Sequence, residues 1–349
     1  MSARYQIFHD THYHYDSPVS LAQQLAHLWP RPCAWQRCTW QQLDISPEPT
    51  ARRDELDVFG NPITRLAFER PHDELLVNAG LTVEVLARPV LDFQQSPPWD
   101  QTRDSLTYSS QPLSLDMIEA CRYRFESPYV HLKKTFVEFS ESCFPPGLPL
   151  LLGVQALMEK IFSEFTFDAE ATQVATPLVE VLERRRGVCQ DFAHLMLACL
   201  RSRGLAARYI SGYLLTQPPP GQKRLIGADA SHAWVSVYLP AADGPGDWVD
   251  FDPTNGRQPG QDYVTLAIGR DYSDVSPMRG VLHGGARHTL DVGVTVQPLE
   301  EMQADLPGMA VEPGVSARSQ GQSQSQSLSP SQSLGQPGTL PTVQLQSQS

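Results

Sequence analysis

The chain has 349 residues, 41% hydrophobic and 19% charged, a globular composition long enough for two domains whose cores need no disulfide staples. Its formal charge of −12 argues against a nucleic-acid partner or an anionic membrane surface, since both select clustered Lys and Arg. No apolar run approaches the ~20 residues that span a bilayer, and MSARYQIFHDTHYHYD lacks a signal-peptide core. The expectation is a cytoplasmic protein whose six scattered cysteines, Cys33, Cys38, Cys121, Cys143, Cys189 and Cys199, are reduced.

Residues 1–90 read as a β-rich domain. ARYQIFHDTHYHY, PITRLAFER and LLVNAGLTVEVLA carry aromatic, β-branched or alternating patterns, and turn signals at Ser17–Pro18, Ser46–Pro49 and Phe59–Pro62 separate them, which predicts a small sandwich. SLAQQLAHLWP fits a short helix or a strand. Pro89 and QQSPPWDQTRDS open a linker, assigned to residues 91–112.

A second domain is expected over residues 113–298. Ser114 caps a predicted helix in SLDMIEACRYRF, and LPLLLGVQALMEKIFSEFTFD predicts a longer one over 148–168. A further helix follows Gly187, with Phe192, Leu195, Met196, Cys199 and Leu200 as its apolar stripe and Gly204 as its stop. Downstream the period falls to two in ARYISGYLL, SHAWVSVYLP and DWVDFDP. Helices followed by strands indicate an α+β fold. Residues 299–349, rich in Ser and Gln, are expected to be a disordered tail.

Cys189 falls in the first turn of its helix, where free N–H groups and the dipole favour a thiolate. Arg184, Arg185 and Arg186 add positive charge nearby, and Asp191 opposes it. In SHAWVSVYL one strand face carries Ala233, Val235, Val237 and Leu239. The other carries His232, Trp234, Ser236 and Tyr238, and suits a cleft wall. A hairpin turn centred near residue 243 sets His232 opposite residue 254, with Asp252 diagonal to it on the same face. Cys189 then attacks an amide carbonyl, His232 moves the proton and Asp252 orients the imidazole. Cys189 alone would read as a buried thiol. Asp250 rivals Asp252 for the third position.

These motifs resemble the bacterial transglutaminase-like proteins. The likeness runs through RRGVCQDFAHLMLACLRSRGLAARYISGYL, ASHAWVSVYLP, WVDFDPTNG and GRDYSDVSPMRGVLHGG. At the front it runs through YHYDSPVSLAQQLAHLWPRP and LDVFGNPITRLAFERPH. It implies a β-rich N-terminal domain before a transglutaminase-like core of the papain-like cysteine-protease superfamily. The family's catalytic Cys, His and Asp fall on Cys189, His232 and Asp252. The implied function is acyl transfer on peptide or isopeptide amides of a peptide or protein substrate, with hydrolysis favoured. A protein-glutamine transglutaminase and a non-catalytic peptide-binding module are the alternatives.

Other residues carry weaker readings. Trp234 and Tyr213 are candidate substrate-binding residues. His194, about 140° round the helix from Cys189, reads as a packing or surface residue. Cys33 and Cys38 lack a second ligand pair. His9, His12 and His14 read as a solvated face, so no metal and no cofactor is assigned. Oligomeric state has no signature in the sequence.

Overall fold

A computed structural model describes residues 2–107, 113–172, 176–216, 231–285, 287–300 and 343–347. They fall into two compact units, Met1–Leu86 with Tyr213–Ser231 and Ser276–Gln348, and Ala87–Gly212 with His232–Val275.

The first unit is built on one long strand, β1 (Ser2–Ala26). Tyr5, Ile7, His9, Thr11, Tyr13, Tyr15 and Val19 are buried, then Ala22, Gln24 and Ala26. The buried parity changes from odd to even across a bulge between Val19 and Leu21, as one inserted residue must make it. The turn signal at Ser17–Pro18 therefore marks an irregularity inside a strand. SLAQQLA is strand because it lies between two neighbours. One of them is β4 (Pro62–Phe68), with Leu25 opposite Arg65. β2 (Gln36–Ser46) pairs with β5 (His72–Leu86), which pairs with the first half of β1, and β3 (Ala51–Leu56) edges β4. The unit is a β-sandwich or half-barrel in which β1 passes from one group of strands to the other.

The second unit begins with folded chain where a linker was expected. α1 (Trp99–Ser105) carries Trp99 into the core, with its indole donating to the Pro145 carbonyl at 2.9 Å. α2 (Leu115–Cys121) begins after Ser114, as predicted, and α3 (Lys134–Ser140) follows. α4 (Leu150–Glu164) stops short of the predicted 168, because Thr166–Phe167 extends as β6. After α5 (Leu178–Arg184), β7 (Arg186–Gly187) lies parallel to β6 and leads into α6 (Cys189–Ser202). Every residue of α6 from Gln190 to Arg201 is buried, so it is a central helix, packed by α3, α4 and α5. Gly204, at φ +79°, ends it.

Arg201 is enclosed at that end and donates to the carbonyls of Ala207, Phe125 and Arg270 and to Ser127 Oγ. Burial pulls its guanidinium down to about 10, against the opposing charges of Asp271 and Asp274.

β8 (Ala207–Leu214), β9 (Ser231–Leu239), β10 (Asp247–Phe251) and β11 (Tyr263–Gly269) form a sheet in the order β10-β9-β8-β11, and α7 (Tyr272–Val275) closes the unit. The sheet allows no side chain at Gly212: a Cβ there would lie 2.1 Å from the Val264 carbonyl oxygen and 2.5 Å from the Trp234 ring.

The chain then returns to the first unit. β12 (Met278–Gly284) and β13 (His288–Pro298) both pair antiparallel with β1. Residues 276–298, expected in the second domain, instead complete the sheets of the first. Their main-chain groups pair with β1, more than 250 residues earlier, a pairing that local pattern does not encode. Within the expected tail, Val343–Ser347 forms β14 beside β12, and residues 301–342 and 348–349 lie outside the described residues.

Candidate active site

Cys189 is the first residue of α6, after the extended Val188. Its N–H is therefore among the helix N–H groups with no intrahelical acceptor. Three residues after Val188, the Asp191 carboxylate folds back to accept the Val188 N–H at 2.9 Å and the Thr172 hydroxyl at 2.5 Å. Burial raises the Asp191 carboxyl, against the pull of those two bonds. The fold-back explains Gly187, where a Cβ would sit 2.7 Å from Asp191 Oδ2. The GVCQD segment is thus a helix start clamped by its own aspartate. The Cys189 side chain keeps partial solvent exposure.

His232 begins β9 and Asp252 directly follows β10. The hairpin register runs from Asp247 opposite Leu239 to Phe251 opposite Val235, as the turn at 243 predicts. Continued past the strand end, it brings the two side chains together: His232 Nε2 lies 2.7 Å from Asp252 Oδ2. That engages Nε2 and leaves Nδ1 as the nitrogen for another partner. Asn255 Nδ2 also lies 3.4 Å from the same ring nitrogen as Asp252. Burial works to lower the His232 pKa but is outweighed by the bonds to Asp252 and Cys189 and by their charges, so it rises to about 10. Burial would raise the Asp252 carboxyl, yet His232, Tyr263 and Asn255 together hold it below its ordinary value.

Two residues not foreseen from sequence complete the Asp252 cradle. Tyr263 donates its hydroxyl to Oδ2 at 2.6 Å, and Asn255 Nδ2 donates to the same oxygen at 2.6 Å. The N–H groups of Thr254 (2.8 Å) and Asn255 (3.3 Å) satisfy Oδ1. The DPTN turn carried a legible sign of this, since an Asp side chain commonly accepts N–H groups two and three residues on. Tyr263 is brought in from β11 and had no local signal.

The other sequence candidates take different places. Asp250 does not reach His232. It is buried, accepting from the Trp234 indole at 3.0 Å and pairing with Arg88 at 2.5 Å. Trp234 and Tyr213, expected to bind substrate, are both fully buried (0% exposed) and offer no surface. Strand β9 is buried on both faces from His232 to Tyr238. The cleft-wall expectation is therefore corrected for Trp234, Ser236 and Tyr238, while His232, near the strand's start, meets Asp252 in the candidate site. The Tyr213 hydroxyl is engaged by His9 Nδ1 at 2.7 Å within the β-rich unit, so His9 is likewise no solvated residue. His12 and His14 do face outward, towards Glu74.

His194 packs as expected, though in the interior. Its Nε2 accepts the Tyr272 N–H at 3.1 Å, its ring stacks on Tyr129, and burial lowers it to about 4.

Comparison with known proteins places this arrangement in a class. A solved candidate cysteine protease from Cytophaga hutchinsonii superposes with a TM-score of 0.66 at 20% identity, covering 86% of this chain and 91% of that one. The fold is therefore shared with that protein. Residues 5–84 match the bacterial transglutaminase-like N-terminal region and residues 146–253 the transglutaminase-like superfamily. Uncharacterized proteins of Mycobacterium bovis and Mycobacterium tuberculosis are 36% identical over 301 residues, 85% of this chain and 93% of theirs. A protein-glutamine gamma-glutamyltransferase of Pseudomonas aeruginosa is 28% identical over 108 residues, 29% of this chain and 16% of that one. The chain belongs to the bacterial transglutaminase-like family, with its β-rich N-terminal domain. Among the described residues no helix is long and apolar enough to cross a membrane.

Proposed function

We propose that the protein is a cysteine-dependent acyl-transfer enzyme acting on amide bonds of a peptide or protein, with Cys189 as nucleophile, His232 as proton carrier and Asp252 as its orienting carboxylate. The observation that carries this reading is the buried His232–Asp252 pair, 2.7 Å from Nε2 to Oδ2, with Cys189 at the start of α6 acting electrostatically on the same ring. The imidazole, raised to about 10, already holds the proton given up by the thiol, and sulfur attacks the carbonyl carbon. The carbon–nitrogen bond breaks as His232 protonates the leaving amine, and the acyl group remains on Cys189 as a thioester. Water then adds, His232 accepts its proton, the carbon–sulfur bond breaks, and a carboxylic acid leaves as the thiol is restored. The Cys189 N–H at the helix start supports the oxyanion in both additions.

Hydrolysis is the first reading because Cys189 keeps partial solvent exposure, which gives water a route to the thioester. A primary amine as acceptor is the second, favoured by the partial similarity to a protein-glutamine gamma-glutamyltransferase. Incubating the full chain with peptide and isopeptide libraries, with and without added primary amine, and reading products by mass spectrometry tests both. Cleavage products support hydrolysis, and ammonia release with amine incorporation supports cross-linking. No product from any library, with the Cys189 thiol intact, would contradict the enzyme reading and leave a peptide-binding module.

A further inference from the structure

We propose that Asp250, anchored by Arg88, is a positioning residue for His232 that acts through the indole of Trp234. The inference rests on reading His232 as the proton carrier. Asp250 and Asp252 extend from the same hairpin strand and share its face, yet they do different things. Asp252 holds the edge of the imidazole. Asp250 Oδ2 receives the Trp234 Nε1–H at 3.0 Å, and the Trp234 ring lies along the face of the imidazole, with centroids 6.1 Å apart and planes 30° apart.

Tyr263 joins the two supports, standing edge-on to Trp234 at 5.3 Å and donating to Asp252. The ring of His232 is therefore fixed in its plane by one carboxylate and in its tilt by an indole that the other carboxylate restrains. A tryptophan packed only by apolar contact could slide. One tied at Nε1 cannot do so without breaking a buried charge-assisted bond.

The cost of this arrangement points the same way. Side-chain exposure is 1% for Asp250 and 15% for Arg88, and taking both charges out of water is seldom recovered by their attraction alone. An apolar pair would fill the hairpin at lower cost, but it would leave Trp234 Nε1 without its acceptor.

Four variants of the full chain test the proposal, with two readouts: the low-field NMR resonance of the His232 ring proton facing Asp252, and the rate at which iodoacetamide modifies Cys189, followed on its own peptide by mass spectrometry. Trp234→Phe keeps an aromatic ring but loses the tether. Asp250→Ala combined with Arg88→Met removes the anchor without stranding a buried guanidinium. Both are expected to shift or broaden the ring resonance and slow Cys189 modification about tenfold, the scale of a lost outer-shell support. Asp250→Asn keeps an acceptor for the indole and should recover most of that rate, which a merely structural role would not predict.

An unmoved ring resonance and wild-type modification rates in both tether-breaking variants would overturn the proposal, whatever the change in melting temperature. The fourth variant, His232→Ala, separates this from failure of the functional reading. If Cys189 reacts as fast there as in the wild type, that reading fails, while the ring resonance still reports whether Asp250 positions the imidazole.

Discussion

Asp252→Asn should cost far more activity than its size suggests. Asp252 accepts from His232, Tyr263, both nitrogens of Asn255 and the Thr254 N–H, and three of these donors converge on Oδ2. In the amide variant Oδ1 keeps the two backbone N–H groups, so an NH2 group replaces Oδ2. The Tyr263 hydroxyl can turn round to accept from it. Asn255 Nδ2 cannot, and His232 Nε2 can do so only after losing its proton. The imidazole is then driven to carry its proton on Nδ1, the nitrogen the proposed mechanism assigns to Cys189, and can no longer accept one there. The same change of tautomer in a serine triad lowers kcat about 10⁴-fold, roughly 5 kcal/mol of barrier.

Stability should fall too, by up to about 3–5 kcal/mol as for a broken buried ion pair, and the loss should depend on pH. His232 is raised from 6.5 to about 10, so its contribution is complete below 6.5 and is lost as pH climbs through about 10. Asp252 is lowered from 3.8, so its contribution is present above 3.8 and is lost as pH falls through the folded value. Urea denaturation of wild type and variant should show the widest gap between pH 3.8 and 6.5, narrowing towards about 10. Cys189 modification and turnover of a library-derived substrate give the kinetic arm. A gap constant across that range, with activity within about tenfold of wild type, a loss far below that of a broken triad, would refute the reasoning.

Three further outcomes follow from the same contacts. Cys189→Ala should abolish turnover with the melting temperature nearly unchanged, because Cys189 is only half-buried at the margin of the core and the change removes a single sulfur atom, which calorimetry with an activity assay will check. Gly187→Ala should press on Asp191 Oδ2, 2.7 Å from the new Cβ, and loosen the start of α6. The expected cost is about 1 kcal/mol of stability, with slower Cys189 modification. Arg201→Met should strip donors from the carbonyls of Ala207, Phe125 and Arg270 and destabilise by about 3 kcal/mol, measured by denaturant titration.

Much of the candidate site could be read locally. The helix start at Cys189 has a glycine before it and an apolar stripe after it, and a hairpin's register follows from where its turn is centred, so His232 and Asp252 were legible as neighbours. Asp250 was not separable from Asp252 by that argument, because residues two apart share a face. Only the fold shows which one meets the imidazole and which the indole.

The burial of Trp234 and Tyr213 was hidden for a related reason. A polar or amphipathic strand face looks like a cleft wall until the elements covering it are known. Tyr263 and the pairing of β12 and β13 with β1 depend on contacts between distant segments, where local pattern carries little information. The single strand from Ser2 to Ala26 was obscured because its bulge between Val19 and Leu21 inverts the alternation before its end.

The most direct test of the account is to quench the full chain during reaction with a substrate drawn from the library and to locate the acyl group by mass spectrometry. A thioester on Cys189, absent from Cys189→Ala and strongly reduced in His232→Ala, is the predicted result. Undiminished substrate turnover by Cys189→Ala, or an acyl group carried on another residue, would contradict it.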